Sequence, residues 1–298
     1  MTQAPVTLGE TTLGRLAPTR RRTKKRSSRF GPVQIFCLAW LVLIVLGAIF
    51  AGVLGLPDPA KVTANANLAP FVDWSQPLGT DQLGRSLLSR ALVGARASLS
   101  VALVATAIAF MIGLFLGLLV GYLGRFAGTA FDVLTNILLA FPPLILLIAL
   151  AAALQPSLQT VVISLGILGI PTFARVARAS TLSFLGREFV VAARAMGANG
   201  FRIIGKELLP NVVLPVLAVA MVIAASFIVA EGSISFLGLG IPAPTPSWGG
   251  MIADGQDNLA RHPHLVFVPA AFFFFTVYSF NALGEWLQAK LGGRESSL

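Results

Sequence analysis

The sequence predicts an all-α membrane protein with six transmembrane helices. Three observations carry this. The 298 residues are 56% apolar and only 11% charged, against about 25% charged in an ordinary soluble domain. Six long stretches carry no charge at all, and basic residues are divided very unequally among the segments between them. This composition excludes a disordered chain, a collagen, a secreted disulfide scaffold and a free nucleic-acid binder. The single cysteine, Cys37, cannot form an intramolecular disulfide.

The elements follow in chain order. Residues 1–29 form a polar tail with eight basic residues between Arg15 and Arg29. They read either as a patch for acidic lipid or nucleic acid or as an anchor that fixes the first helix. The first transmembrane segment occupies 30–56, with its uncharged run at 33–56. That run is too long for the roughly 7–15-residue apolar core of a cleaved signal peptide. A loop follows at 57–96. A core from 97 to 290 contains further spans at 97–123, 133–154, 158–174, 212–230 and 265–283, each near the roughly 20 residues a bilayer requires. Residues 291–298 form a short tail. With both termini inside, 17 Lys and Arg lie inside and 5 outside; the positive-inside rule therefore selects N-in, C-in.

Gly113, Gly117 and Gly121 recur every four residues on one helix face. They predict close approach of a neighbouring backbone, as tight packing or as a moving interface. Pro142, Pro143 and Pro171 predict kinks. Glu231 follows the fifth span and reads as a helix-end cap, a partner for an outer arginine, or a proton-relay group.

Catalytic sets are absent from the sequence. There is no H-E-x-x-H and no G-x-S-x-G. His262 and His264 lack the Cys or carboxylate company of a metal site. Residues 200–206 fit the first seven positions of a phosphate-binding loop. The eighth, which must be Ser or Thr to hold Mg²⁺, is Glu207, and no strand precedes it. The chain thus reads as a non-enzyme that binds no cofactor or metal itself. Asp132 and Glu231 are placed at span edges, so any uphill transport would take its energy from a partner.

The inside loop at 187–210 is the most informative stretch. Phe189, Ala193 and Met196 share one helical face, Gly197 and Gly200 interrupt, and Phe201, Ile204 and Leu208 share the face of a second short helix that stops at Pro210. Gly197 at the corner allows backbone angles closed to other residues. Such a pair builds a knob for a cytosolic partner or a helix pair lying on lipid.

From Glu188 to Asn211 the sequence EFVVAARAMGANGFRIIGKELLPN resembles the EAA loop of ABC importer permeases. Glu188, Ala192, Ala193, Arg194, Gly197, Ala198, Leu209 and Pro210 are the positions carried over. Val191 stands where the motif has glutamate. Residues 78–99, with Gly79, Thr80, Asp81, Gly84, Arg85, Arg90 and Arg96, resemble the outer-loop signature of dipeptide/oligopeptide/nickel permeases. Residues 231–249, with Glu231, Ser235, Phe236, Gly238 and Trp248, resemble the segment after the fifth span in the C-type permease of that family. The resemblance runs from about residue 30 to 290. It implies a type I ABC importer permease fold with a cytosolic coupling loop, in a prokaryotic plasma membrane. The implied partners are a second homologous permease, two cytosolic ATPases that hold ATP and Mg²⁺, and an extracytoplasmic peptide-binding protein. The implied cargo is a di- or oligopeptide, with nickel, glutathione or another peptide-like cargo as alternatives. An ion-coupled secondary carrier and an intramembrane enzyme are the readings from other classes; the second needs an ionisable cluster at mid-membrane.

Overall fold

A computed structural model describes residues 30–295, with side chains to residue 291. The basic tail 1–29, residues 296–298 and the Arg294 side chain lie outside the described residues. Within them the chain is helical, with one isolated bridge between Thr80 and Ser86. In order the helices are α1 (Pro32–Phe50), α2 (Leu87–Leu123), α3 (Arg125–Ala140), α4 (Pro143–Ala153), α5 (Leu158–Leu185) and α6 (Glu188–Ala195). Then come α7 (Gly200–Arg202), a π-helical turn (Ile203–Leu208), α8 (Leu209–Phe236), α9 (Trp248–Gly255) and α10 (His264–Glu295). Five stretches are long and apolar enough to cross a membrane. α3 and α4 add a sixth crossing if the pair, bent by 76°, counts as one.

Local chemistry sets the helix ends. Ser86 and Ser157 cap α2 and α5 by accepting from the backbone N–H three residues on, which satisfies one donor left free in the first turn. α1 begins at a proline, whose missing N–H costs nothing there.

α2 and α5 form the most extensive helix pair. A Cβ on Gly117 would sit 2.4 Å from the Ala174 carbonyl oxygen and 2.5 Å from Ala177 Cβ; one on Gly113 would sit 2.5 Å from Phe173 Cβ. The glycine row therefore places two backbones in contact. α8 lies against both helices, and α1 is peripheral, held on α10. Trp40 Nε1 donates to Thr276 Oγ1 at 3.1 Å, and the Trp40 and Phe275 rings pack at 5.3 Å. The outer face of α1 is exposed and apolar, as expected of a lipid-facing helix.

Several sequence expectations are corrected. Residues 87–96 are not loop but the first turns of α2, because Ser86 caps the helix there. The span at 133–154 is broken at Phe141–Pro142, where Pro142 and Pro143 cannot continue the hydrogen-bond ladder. α5 runs unbroken through Pro171 to Leu185, beyond the expected end at 174. The helix after Gly200 does not stop at Pro210. Pro210 sits in the first turn of α8, where proline is tolerated, so the path from Gly200 to Phe236 is continuous.

Candidate functional site

Two groups of the singled-out residues assemble at opposite ends of α2. At one end, residues 57–86 fold onto the start of α2. Gly79 and Gly84 have φ near +80° and +75°, and a Cβ at either would strike a backbone oxygen, of Leu68 or Ala64. These turns aim Asp81 inward. Asp81 Oδ1 accepts from the N–H of Leu83 and of Arg85, both at 2.9 Å. Its Oδ2 meets Arg85 Nε at 2.6 Å and Arg90 Nε at 3.3 Å. Arg90 is only 4% exposed, and it also reaches Asp254 at 3.6 Å and the Pro59 carbonyl at 3.4 Å. The Thr80 hydroxyl donates to the Asn65 carbonyl and accepts from the Leu68 N–H. Arg96 donates to the carbonyls of Ala48 and Ile49 at the end of α1. These residues form a scaffold that locks the 57–86 fold to α1, α2 and α9.

The 231–249 segment joins the same end. Trp248 is fully buried, and its Nε1 donates to the Ala91 carbonyl at 3.0 Å. Asp81, Arg85, Arg90, Ser235, Phe236 and Asp254 are among the walls of one open groove of about 510 Å³. Arg90→Ala is expected to leave Asp81 and Asp254 without this cation. Asp81 keeps Arg85 and Asp254 is largely exposed, so the loss is about 1.5–3 kcal/mol, the scale of one charge-assisted contact, to be read as a lower apparent melting temperature of the purified protein; an unchanged value would contradict the scaffold role.

Glu231 departs from its expected place. It neither caps a helix nor pairs with an outer arginine. α8 continues to Phe236, so Glu231 lies inside the helix, fully buried. Ser98 Oγ donates to its Oε2 at 2.8 Å and Ser235 Oγ to its Oε1 at 2.7 Å. Among the described residues no cation is paired with it. α9 seals this region, with Gly249 pressed on the Gly232 backbone. Ser98 was not singled out from the sequence: a lone serine in an apolar run carries no signal until a carboxyl faces it.

At the other end of α2, α6 closes in a Schellman turn. Ala198 N–H donates to the Ala193 carbonyl and Gly197 N–H to the Arg194 carbonyl. Gly197 takes φ near +82°, and Asn199 caps the next turn by accepting from the Arg202 N–H. Gly200 abuts Tyr122 on α2; a Cβ there would lie 2.9 Å from its hydroxyl. Arg90 and Tyr122 are about 48 Å apart along the α2 axis at 1.5 Å per residue.

The two expected helical faces are split between the core and the surface. Val190 and Ala193 are buried on α6, and Ile203 and Leu208 on the π turn. A π turn bonds i to i+5, which shifts the inward register so that Phe201 faces out. α6 ends at Ala195, so Met196 is off the helix. Val191, Met196 and Phe201 are exposed, the last two by 79% and 90%, with Arg194 and Arg202 exposed beside them. Glu188, Ala192, Leu209 and Pro210 are exposed, and Ala198 is partly buried.

Ionisable groups also pair between α3 and α5. Asp132 lies inside α3 and pairs with Arg178 of α5; Arg175 of α5 bonds Thr135 and Asn136 of α3. Among the described residues no three His, Cys, Asp or Glu gather where a metal ion could be held.

Residues 113–296 match the family described as "Binding-protein-dependent transport system inner membrane component". The chain is 36% identical over 259 residues to the di/tripeptide transport system permease protein DppC of Pseudomonas aeruginosa (strain UCBPP-PA14), covering 85% of this chain and 86% of that protein. It is 34% identical over 268 residues to the oligopeptide transport system permease protein OppC of Bacillus subtilis (strain 168), covering 89% and 86%. It is 36% identical over 252 residues to the glutathione transport system permease protein GsiD of Shigella flexneri serotype 5b (strain 8401), covering 85% and 83%. Among solved structures it is similar to the inward-facing MetNI methionine ABC transporter, with a TM-score of 0.55 at 21% identity, covering 68% of this chain and 96% of that one. It also resembles an amino acid ABC transporter crystallised with histidines, with a TM-score of 0.52 at 16% identity, covering 67% and 94%.

Proposed function

The chain belongs to the family of binding-protein-dependent transport system inner membrane components, and on that premise we propose the part it plays in one importer. It is an ABC permease subunit of the inner membrane, from a family whose members work with ATPases and substrate-binding proteins. We read its cargo as di- or oligopeptides, in line with the DppC and OppC relatives. The GsiD relative favours a second reading, glutathione, itself peptide-like.

In this proposal the chain forms half of the pathway with a second, homologous permease. It spans the membrane six times, with both termini inside, counting α3–α4 as one crossing. The Asp81–Arg90 end faces outward, and its groove receives the peptide-binding protein. The Gly197 end faces the cytosol. Glu188, Ala192, Ala193, Arg194, Gly197, Ala198, Leu209 and Pro210 belong to the element that seats an ATPase. The chain holds no nucleotide; ATP and Mg²⁺ reside on two partner ATPases. ATP draws those ATPases together, the corner moves with them, and the continuous run from Gly200 to Phe236 carries the motion through the membrane.

The observation that carries this reading is the exposed apolar corner. Val191, Met196 and Phe201 protrude beside two arginines, while Val190, Ile203 and Leu208 anchor the corner to the core. A rigid apolar knob with a cationic rim suits a protein cleft. Affinity purification of the tagged chain in mild detergent, with its companions identified by mass, tests the proposal. A second permease with ATPases supports it. Recovery of this chain alone, under conditions that preserve a known importer, opposes it.

A further inference from the structure

Between α3, α4, α5 and α8 lies a largely apolar cavity of about 280 Å³, walled by Leu139, Leu144, Leu165, Phe227 and Thr172 among others. This is near the lower end of the roughly 300–1,000 Å³ of small-molecule sites. One helical turn beyond Leu139 and Thr172, on the side of the Gly197 corner, Asn136 meets Arg175. Arg175 Nη2 donates to Asn136 Oδ1 at 2.6 Å, and its Nε and Nη2 lie 3.4 and 3.3 Å from Thr135 Oγ1. One turn further on, Arg178 pairs with Asp132. The apolar wall is thus followed, one and two helical turns along, by two successive arginines outside the cavity itself, of which one has an acid.

Among the described residues the partners of Arg175 are neutral, and the one acid of α3, Asp132, is taken by Arg178. A guanidinium at the end of an uncharged apolar run reaches toward the watered interface, where it is open to an anion. Its planar fork of five donors suits a carboxylate and is only partly occupied by Thr135 and Asn136. Asn136 is exposed, so the pair is not sealed from the space around α3. The Arg178–Asp132 pair ties α3 to α5 through an ion pair, and Arg175 ties the same helices through neutral groups alone, so it holds no anion.

We propose that Arg175 is a carboxylate subsite on the translocation path. It receives the C-terminal carboxylate of a peptide whose side chains rest against the leucine-lined wall. This rests on the peptide-import reading above. Thr135 and Asn136 hold the guanidinium in place before the cargo arrives and keep it hydrogen-bonded after the cargo leaves.

The test is uptake by the assembled complex, with its binding protein saturated in turn by alanyl-alanine and by the C-terminal amide of alanyl-alanine. Wild type is expected to carry the free acid faster than the amide. Arg175→Gln should lower free-acid uptake about tenfold, the scale of one lost charge-assisted contact, with amide uptake unchanged. Arg175→Lys should keep the preference for the acid. Equal loss for both peptides in Arg175→Gln, or an unchanged ratio between them, would overturn the subsite. Absence of uptake of either peptide by wild type would overturn the peptide-import reading itself, and the subsite with it.

Discussion

Gly117→Val in α2 is expected to abolish recovery of monodisperse protein. The added Cβ would meet the Ala174 carbonyl oxygen at 2.4 Å and the Arg178 backbone nitrogen at 2.8 Å. These are backbone atoms of α5 and cannot rotate away as a side chain would. Overpacking a core against movable side chains costs about 1–3 kcal/mol. Here the two helices must separate, so contacts along the whole α2–α5 seam are lost as well. Gly113 and Gly121 lie on the same seam, with added Cβ atoms at 2.5 Å and 2.8 Å from α5, so the shift cannot be absorbed one turn away. Gly205→Ala is the matched control, since nothing lies within 4 Å of its added Cβ. Size-exclusion profiles of the two variants check this: a normal peak for Gly117→Val would show that the seam tolerates a wider spacing.

Gly197→Val is expected to leave the protein folded and abolish transport. Gly197 has φ near +82°, which a β-branched residue avoids at a cost of about 1–2 kcal/mol. Its added Cβ meets nothing within 4 Å, so the core is untouched and the strain falls on the turn alone. Relief requires the Schellman bonds from Ala198 and Gly197 to break, which turns Met196 and Phe201 away from their present geometry. Uptake should fall by more than tenfold while expression and the size-exclusion profile stay normal. Full uptake would show that the corner is not the route by which ATPase motion reaches α8.

Much of this was legible in the sequence, and the reasons are specific. Gly113, Gly117 and Gly121 announced close backbone packing because their spacing alone puts them on one face. Pro142–Pro143 mark the place of the bend because proline lacks the donor a helix interior needs, although the sequence reading has a kinked span there and the chain has two helices bent by 76°. Gly79 and Gly197 belonged to long motifs, and both take positive φ.

What was not legible depends on contacts between distant segments. Glu231 looked like an interfacial charge because the apolar run ended before it. Its burial is made by α9, which follows a Pro-rich stretch, and by Ser98, 133 residues away. The Arg178–Asp132 and Arg175–Asn136 pairs were missed because each partner alone lies near the edge of an apolar run. Only the packing of α3 on α5 brings them together. The separation of exposed Phe201 from buried Leu208 is not legible because periodicity assumes 3.6 residues per turn, and the π turn at Ile203–Leu208 breaks that assumption.

As an ABC permease subunit, this chain is expected to move cargo with energy received from an ATPase. The most direct test is peptide uptake into proteoliposomes holding the purified complex, with and without enclosed ATP and with and without a protonophore. Uptake is expected to require ATP and the binding protein and to be unchanged by the protonophore. Uptake that persists without ATP and stops with the protonophore would contradict it and make the chain an ion-coupled carrier.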